Sequence, residues 1–385
     1  MCRVDGMLIY PVIEFKDLVY AHQYGWLGVL VETTEGVLLK PEPALTKVFK
    51  ANVTIKEYLV RQGLPRDVLS RLRIMMDHGI STNNFREVFG LDKTPKNLVL
   101  VYKRLGVDLG IAYDVPVRLT LQAVVGSILS GRLSIDVDDS VKDVVRELTE
   151  KLKSKLTRPA REKIMVLLEK NDGIVRELSR IGVEVTLNRL AEMLDHATKL
   201  NFNGLVPVVQ GLFKDDIEYS VRETIKLVSQ VKNDLRNDWL IAIGTGGRVL
   251  SRDDTANVVF AIRKVKEYAR KYNVNVRIHV LGWSNPDTLP PFIVGEIYSA
   301  DSHTPRKRAI EGKIYIAANG GLVLKHVSEV GDYSCNCPVC SRPELRKYVL
   351  ERSSRRRTDV RLVHNAFMLM SYINKRMYQL GTWVT

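Results

Sequence analysis

Short apolar runs that end in a polar or glycine-bearing turn alternate along much of this chain with longer stretches whose apolar residues recur at three- and four-residue spacing. The first pattern predicts strands and the second amphipathic helices. Residues 26–31 form a continuous apolar run and predict a strand, and 54–62 predict a short helix. RIMM is a strand running into Asp77, followed by His78 and Gly79; in VDLGIAYDVP a strand over 109–113 ends at Asp114, closed by Pro116. From 117 to 202 the pattern turns helical, through VKDVVRELTEKLKSKL, REKIMVLLEK and LNRLAEMLDHATKL. Alternation then resumes: the strand LVPVVQG, a helix over 216–231, the strand WLIAIGTGG, a helix over 255–271, the strand VRIHVLGW, and EIYSADSHTP, whose strand ends near Asp301. KIYIAANGGLVL reads as a hairpin about Asn319-Gly320-Gly321, and 343–350 as a helix.

Strand, polar turn, helix and strand again is the grammar of parallel β/α units. Six or seven such units predict a TIM-type (β/α)8 barrel, with a doubly wound open sheet as the alternative. The barrel would occupy 1–330 with a helical insertion at about 118–202, and 331–385 would form a subdomain packed on it. Asp77, Asp114 and Asp301 each stand just past a predicted strand, so a barrel would turn all three into one pocket. Taken singly, an aspartate there is commonly a helix cap or turn former; taken together, paired carboxylates suit glycosyl chemistry, one attacking the anomeric carbon and another handling the proton.

Composition adds a partner and a metal. The 385 residues carry 58 Lys and Arg against 44 Asp and Glu, a net charge of +14. Arg352, Arg355, Arg356, Arg357 and Arg361 cluster near the C-terminus, and such a field favours a polyanion, most simply nucleic acid; a solvated surface suited to high temperature is the other reading. No apolar run approaches the roughly 18 residues of a membrane helix. The N-terminal stretch lacks a secretion pattern, and the cytoplasm is the default compartment. Of the four cysteines, Cys2 is isolated, while Cys335, Cys337 and Cys340 lie at C-x-C-x-x-C spacing with His364 downstream. Three thiolates and an imidazole make the closed set that a structural Zn²⁺ prefers; ordinary reduced thiols near a histidine are the alternative.

The succession DHG, AYDVP, VVQG, AIGTGG, HVLGW, ADSHTPR, C-x-C-x-x-C and a distant HN resembles the tRNA-guanine transglycosylase superfamily, in the same order. The resemblance implies a (β/α)8 barrel with a zinc-binding unit near its C-terminal end, and exchange of guanine in a polynucleotide for a 7-deazaguanine base. It assigns Asp301 as the nucleophile that attacks C1′ and Asp77 as the general acid/base on the exchanging base. Asp114 would read the base's hydrogen-bonding edge, Gln210 and Gly211 its exocyclic carbonyl, and Gly244 and Gly246 would let backbone approach it. Leu281 would pack on its face, with a core leucine as the bland alternative. The chain departs from the family where D-S-G-G-F-Q becomes Asp77-His78-Gly79-Ile80-Ser81, and where A-I-G-G becomes AIGTGG.

ADSHTPRKRA is more similar to the D-S-x-x-P-R run of the DNA-modifying (DpdA) branch than to the tRNA enzymes, and the chain ends at Thr385 without the additional RNA-binding domains of the archaeal ones. The expected substrate is therefore DNA, with a 7-deazaguanine such as preQ0 as the incoming base. A tRNA substrate is the alternative, and a non-catalytic nucleic-acid-binding partner subunit the reading from another class. The base would have to leave its stack to be reached. Arg306, Lys307 and Arg308, with Arg355, Arg356 and Arg357, would meet backbone phosphates, although a solvated face is the plain reading of both clusters. Family members commonly pair as dimers, which implies a homodimer; no membrane partner is expected.

Overall fold

A computed structural model describes residues 7–23, 25, 27–79, 82–116, 172–231, 238–244, 252–283, 291–318, 321–331, 335–351 and 355–381, together with 127, 142, 145–147 and 149–150. Most of the expected insertion at 118–202 lies outside these residues; its described portion is dominated by one helix, Asp172–Lys199. The chain divides into two units, one of 1–77, 102–109 and 278–385 and the other of 78–101 and 110–277. No helix among the described residues is long and apolar enough to cross a membrane.

The first unit is built on parallel strands. β1 (Leu8–Pro11) lies between β9 (Ser299–Ser302) and β2 (Gly36–Leu39), joined to the latter by a parallel bridge between Val12 and Leu38. β3 (Arg73–Met76) extends the sheet beyond β2, and β8 (Val276–Val280) pairs with β9 on the other side. The order is thus β8-β9-β1-β2-β3, all parallel. β2 is buried along its whole length, as parallel strands covered on both faces are. In the second unit β4 (Leu109–Ile111) pairs with β5 (Leu205–Val206), and β6 (Val208–Val209) pairs with β7 (Trp239–Ile243). β5 and β6 are one extended run broken at Pro207, which has no N–H to give a ladder. The chain is therefore an α/β protein with parallel sheets. The hairpin at the NGG turn is present as β10 (Lys313–Ala318) and β11 (Gly321–His326), antiparallel in register.

The helix Ile55–Arg61 falls where the sequence predicts it because Thr54 and Glu57 form a reciprocal capping box. Residues 26–31 are corrected: the described part of that run belongs to a helix, Leu27–Thr34, not a strand. A short apolar run has no period of its own. Here the helix is enclosed by the helices Phe15–Gln23, Arg66–Arg71 and Arg355–Gly381 and by β1. Thr33 and Thr34 enter this interior because their hydroxyls donate to the carbonyls of Val29 and Leu30, at 2.6 and 3.0 Å.

Sheet closeness is enforced at Gly36. A Cβ there would press on the Tyr10 ring, 2.7 Å from Cδ1, and lie 2.9 Å from the Arg73 carbonyl oxygen. Tyr10 is fully buried. Gly36→Ala is expected to lower stability by roughly 1–3 kcal/mol through overpacking, read from urea unfolding; an unchanged midpoint would show that Tyr10 relaxes freely.

Candidate functional site

The two strand-end aspartates of the first unit lie at the C-terminal ends of parallel strands. Asp301 is on β9, 5% exposed. Its Oδ1 accepts from the Gly282 backbone N–H at 2.9 Å and from His279 Nε2 at 3.2 Å. The first donor is aimed by a turn after β8 in which Gly282 adopts φ +67°, the left-handed region that glycine enters without strain. The second follows from register: His279 pairs across the ladder with Ser299, so its ring spans Ser299 and Asp301, two residues apart on one face. Among the described residues no hydrogen bond reaches Oδ2. The carboxylate has one oxygen anchored and the other uncommitted.

Asp77 follows β3, its N–H bonded to the Leu39 carbonyl at 2.9 Å. Lys40, the residue after β2, holds its Nζ 3.6 Å from Asp77 Oδ2. His303 completes the group at the start of the helix Thr304–Ile310. Desolvation and the Lys40 cation push its pKa below the usual histidine range, against the opposing pull of Asp301 and Asp77. Leu281, half-buried, sits beside Gly282 in the same turn.

In the second unit Asp114 is held by His78, whose Nε2 lies 2.6 Å from Oδ1. The His78 ring stacks on Tyr113 with centroids 5.3 Å apart, and Lys93 lies over the Tyr113 face at 4.9 Å. Gln210 is buried, and its amide nitrogen is spent within the fold: it donates to the Val115 carbonyl at 2.8 Å and to Thr186 Oγ1 at 2.6 Å. The side chain braces the end of β6 against the helix Asp172–Lys199. Gly211 packs on the first turn of the helix Lys214–Gln230, where a Cβ would come within 2.9 Å of the Ile217 nitrogen. Gln210, Gly211 and Gly244 line a small cleft of about 20 Å³ together with Asn257 and Ala261. Gly246 lies outside the described residues.

The C-terminal cluster is the most complete. The Sγ atoms of Cys335, Cys337 and Cys340 and one ring nitrogen of His364 all lie within 4.8 Å of one another. His364 Nδ1 stands 3.9, 3.2 and 3.5 Å from the three sulfurs in turn. The edges of a tetrahedron with metal–sulfur bonds of about 2.3 Å and metal–nitrogen bonds of about 2.0 Å come to roughly 3.5–3.8 Å, so the donors are nearly in place. His364 Nε2 donates to the Tyr315 carbonyl at 2.8 Å, which fixes the tautomer and leaves Nδ1 its lone pair. Hydrogen bonds from Cys337 and Cys340 hold the Cys335 thiol below the ordinary thiol range, while the same contacts and burial push Cys337 above it. These residues fit a metal ion.

His364 rides on the helix Arg355–Gly381, and its neighbour Asn365 explains the HN pair. Asn365 Oδ1 accepts from the Tyr315 N–H at 2.9 Å, while Nδ2 donates to the carbonyls of Lys313 at 3.1 Å and Pro305 at 3.3 Å. The metal-site helix is thereby tied to the helix that follows Asp301.

The basic residues are mostly committed elsewhere. Arg306 pairs with Glu14 at 2.5 Å and Asp17 at 3.4 Å, and Arg308 with Glu311 at 2.9 Å; Lys307 is exposed. Arg361, counted in the surface cluster from sequence, is corrected: it is 5% exposed and donates to the carbonyls of Val349 and Glu351, capping the helix Pro343–Leu350. Arg355, Arg356 and Arg357 open the last helix, their side chains outside the described residues.

The sequence reading had no role for His279, Gly282, Lys40 or His303. A histidine inside the apolar strand VRIHV was the available signal, since a buried imidazole needs a partner. Comparison with protein-family models finds no match, and comparison with curated proteins finds none either.

Purified protein is expected to carry about one metal ion per chain by elemental analysis, the count for a single closed four-ligand site. Cys340→Ser should lose it together with thermal stability. A metal-free preparation that unfolds at the same temperature would overturn the assignment.

Proposed function

We propose that this chain is a base-exchanging glycosyl transferase acting on nucleic acid. More particularly, it exchanges guanine in DNA for a 7-deazaguanine base of the preQ0 kind. The observation that carries the reading is the state of Asp301: a carboxylate at a strand end, anchored through Oδ1 and uncommitted at Oδ2, with a second carboxylate, Asp77, at the end of another parallel strand of the same unit.

In the proposed reaction Oδ2 attacks C1′ of the target nucleotide. The C1′–N9 bond breaks, the departing guanine takes a proton from Asp77, and a glycosyl ester of Asp301 holds the polymer. The incoming base then attacks C1′ through N9, gives its N9 proton to Asp77, and the electron pair of the C1′–Oδ2 bond returns to the carboxylate. Two displacements retain configuration. The resemblance adds Asp114, Gln210, Gly211, Gly244, Gly246 and Leu281 as base contacts. Asp114 Oδ2, with no hydrogen bond among the described residues, is the atom suited to that role, and Gln210 would act through its carbonyl.

The finer architecture belongs to the same reading. The parallel pairings within each unit support a (β/α)8 barrel, whose catalytic groups would stand at strand C-terminal ends. Zinc is the ion that three cysteines and a histidine select, and there it is structural. The +14 charge and the ADSHTPR run support DNA; tRNA is the alternative polymer. A non-catalytic nucleic-acid-binding partner is the second reading, favoured by the internal use of Gln210 and Arg306.

Wild-type protein incubated with guanine-containing DNA should give a covalent protein–polymer adduct that withstands denaturation and is missing in Asp301→Ala. No adduct with DNA or tRNA would sink the enzyme reading, and an adduct with tRNA alone would move the substrate. Asp77→Asn should slow guanine exchange by about 10²–10⁴-fold, the usual worth of a general acid/base. Unaltered exchange would remove Asp77 from the chemistry.

A further inference from the structure

Ser299, His279 and Asp301 form a continuous buried array. His279 Nδ1 lies 2.9 Å from Ser299 Oγ and Nε2 3.2 Å from Asp301 Oδ1. An ionised carboxylate can only accept, so the proton is on Nε2, and Nδ1 accepts from the Ser299 hydroxyl. The connectivity is that of a Ser-His-Asp triad, but the burial is reversed. Ser299 and His279 are fully enclosed at 0% exposure, and only Asp301, at 5%, reaches outward. The Tyr10 ring lies near the imidazole, with centroids 6.1 Å apart and the planes tilted by 57°. Ser299 therefore cannot meet a substrate, and the array serves the aspartate.

We propose that His279, oriented by Ser299, is a positioning residue that makes Asp301 a good leaving group in the second half of the exchange. The inference rests on the transglycosylase reading. In the glycosyl ester Oδ2 is bonded to C1′ and Oδ1 is the ester carbonyl oxygen. As the incoming base displaces C1′, negative charge returns to the carboxylate. Donors already aimed at Oδ1, the His279 Nε2–H and the Gly282 N–H, meet that charge without rearranging. The same donors draw electron density from Oδ2 and make it a weaker nucleophile. Their removal therefore acts unequally: it hinders departure of the aspartate more than its attack. Ser299 supplies the tautomer, because without its hydroxyl nothing obliges Nδ1 to remain the acceptor.

The test measures both halves on wild type, His279→Ala, His279→Gln and Ser299→Ala, using guanine-containing DNA and labelled guanine as the incoming base. For His279→Ala, exchange should fall at least tenfold while the steady-state share of protein trapped as adduct rises. His279→Gln, whose amide can donate at the Nε2 position, should recover much of the exchange. Ser299→Ala should lie between. Equal loss in formation and resolution of the adduct, or no recovery with glutamine, would overturn the proposal. Nitrogen-15 spectra of the imidazole in the free protein should show the Nε2–H tautomer, shifting towards a mixture in Ser299→Ala; an Nδ1–H tautomer in wild type would overturn it independently. Absence of any adduct from wild type would defeat the reaction reading, and with it the leaving-group role, while the spectra still decide the array.

Discussion

Taking a carboxylate out of water is costly unless donors replace the water, and the first unit is arranged around that requirement at Asp301. Two donors meet Oδ1, and each depends on a different part of the strand framework. The Gly282 amide is turned inward by a left-handed residue just past β8. The His279 ring arrives because β8 and β9 run parallel in a register that sets it opposite Ser299. A one-residue slip of that register would carry every side chain of one strand to the other face. The covered faces of the parallel strands and the polar array thus enforce the same register.

The Cys3His cluster is linked to the helix that follows the same strand. Its donors come from two stretches, the knuckle at Cys335 to Cys340 and one turn of the final helix at His364. Binding an ion would close the chain between them. That closure matters beyond the cluster because Asn365, the next residue, holds the β10 backbone and the Pro305 carbonyl. Pro305 belongs to the helix that begins three residues after Asp301. The cluster is thus tied to the segment that follows the strand end through Asn365 and the Pro305 carbonyl.

Much of the framework could be read from the chain because it rests on local periodicity: the strands leading to Asp77 and Asp301, the helix after Thr54 and the hairpin at the NGG turn all appear, while the strand expected to reach Asp114 stops at Ile111. The four-ligand set appears too, since sulfur spacing is itself local. The readings that changed concern side chains whose fate is decided by distant partners. Arg306 looks like a phosphate contact until Glu14, 292 residues earlier, is found beside it. Arg361 looks exposed until the end of the preceding helix needs its guanidinium. Residues 27–34 were ambiguous because an apolar run that is covered all round has no preferred period. β1 and β2, four residues each, escaped for the same reason.

Charge gives the patch around Asp301 its remaining constraint. A polyanion approaching two ionised carboxylates is repelled, and a proton-handling group beside a nucleophile must not raise that repulsion further. Lys40, 3.6 Å from Asp77, offsets one of the two charges, while His303 is pushed towards its neutral form. In the proposed reaction Asp77 enters protonated, so that Asp301 carries the one negative charge and Lys40 faces a neutral carboxyl. As the glycosyl ester forms and the departing base takes the proton, that charge passes from Asp301 to Asp77, and it returns to Asp301 when the ester is displaced. The two carboxylates would then share one negative charge at each stage, without accumulating two. Lys40, 3.6 Å from Asp77, also restrains that carboxylate at the end of its strand, and in the proposed reaction it would limit where Asp77 delivers its proton.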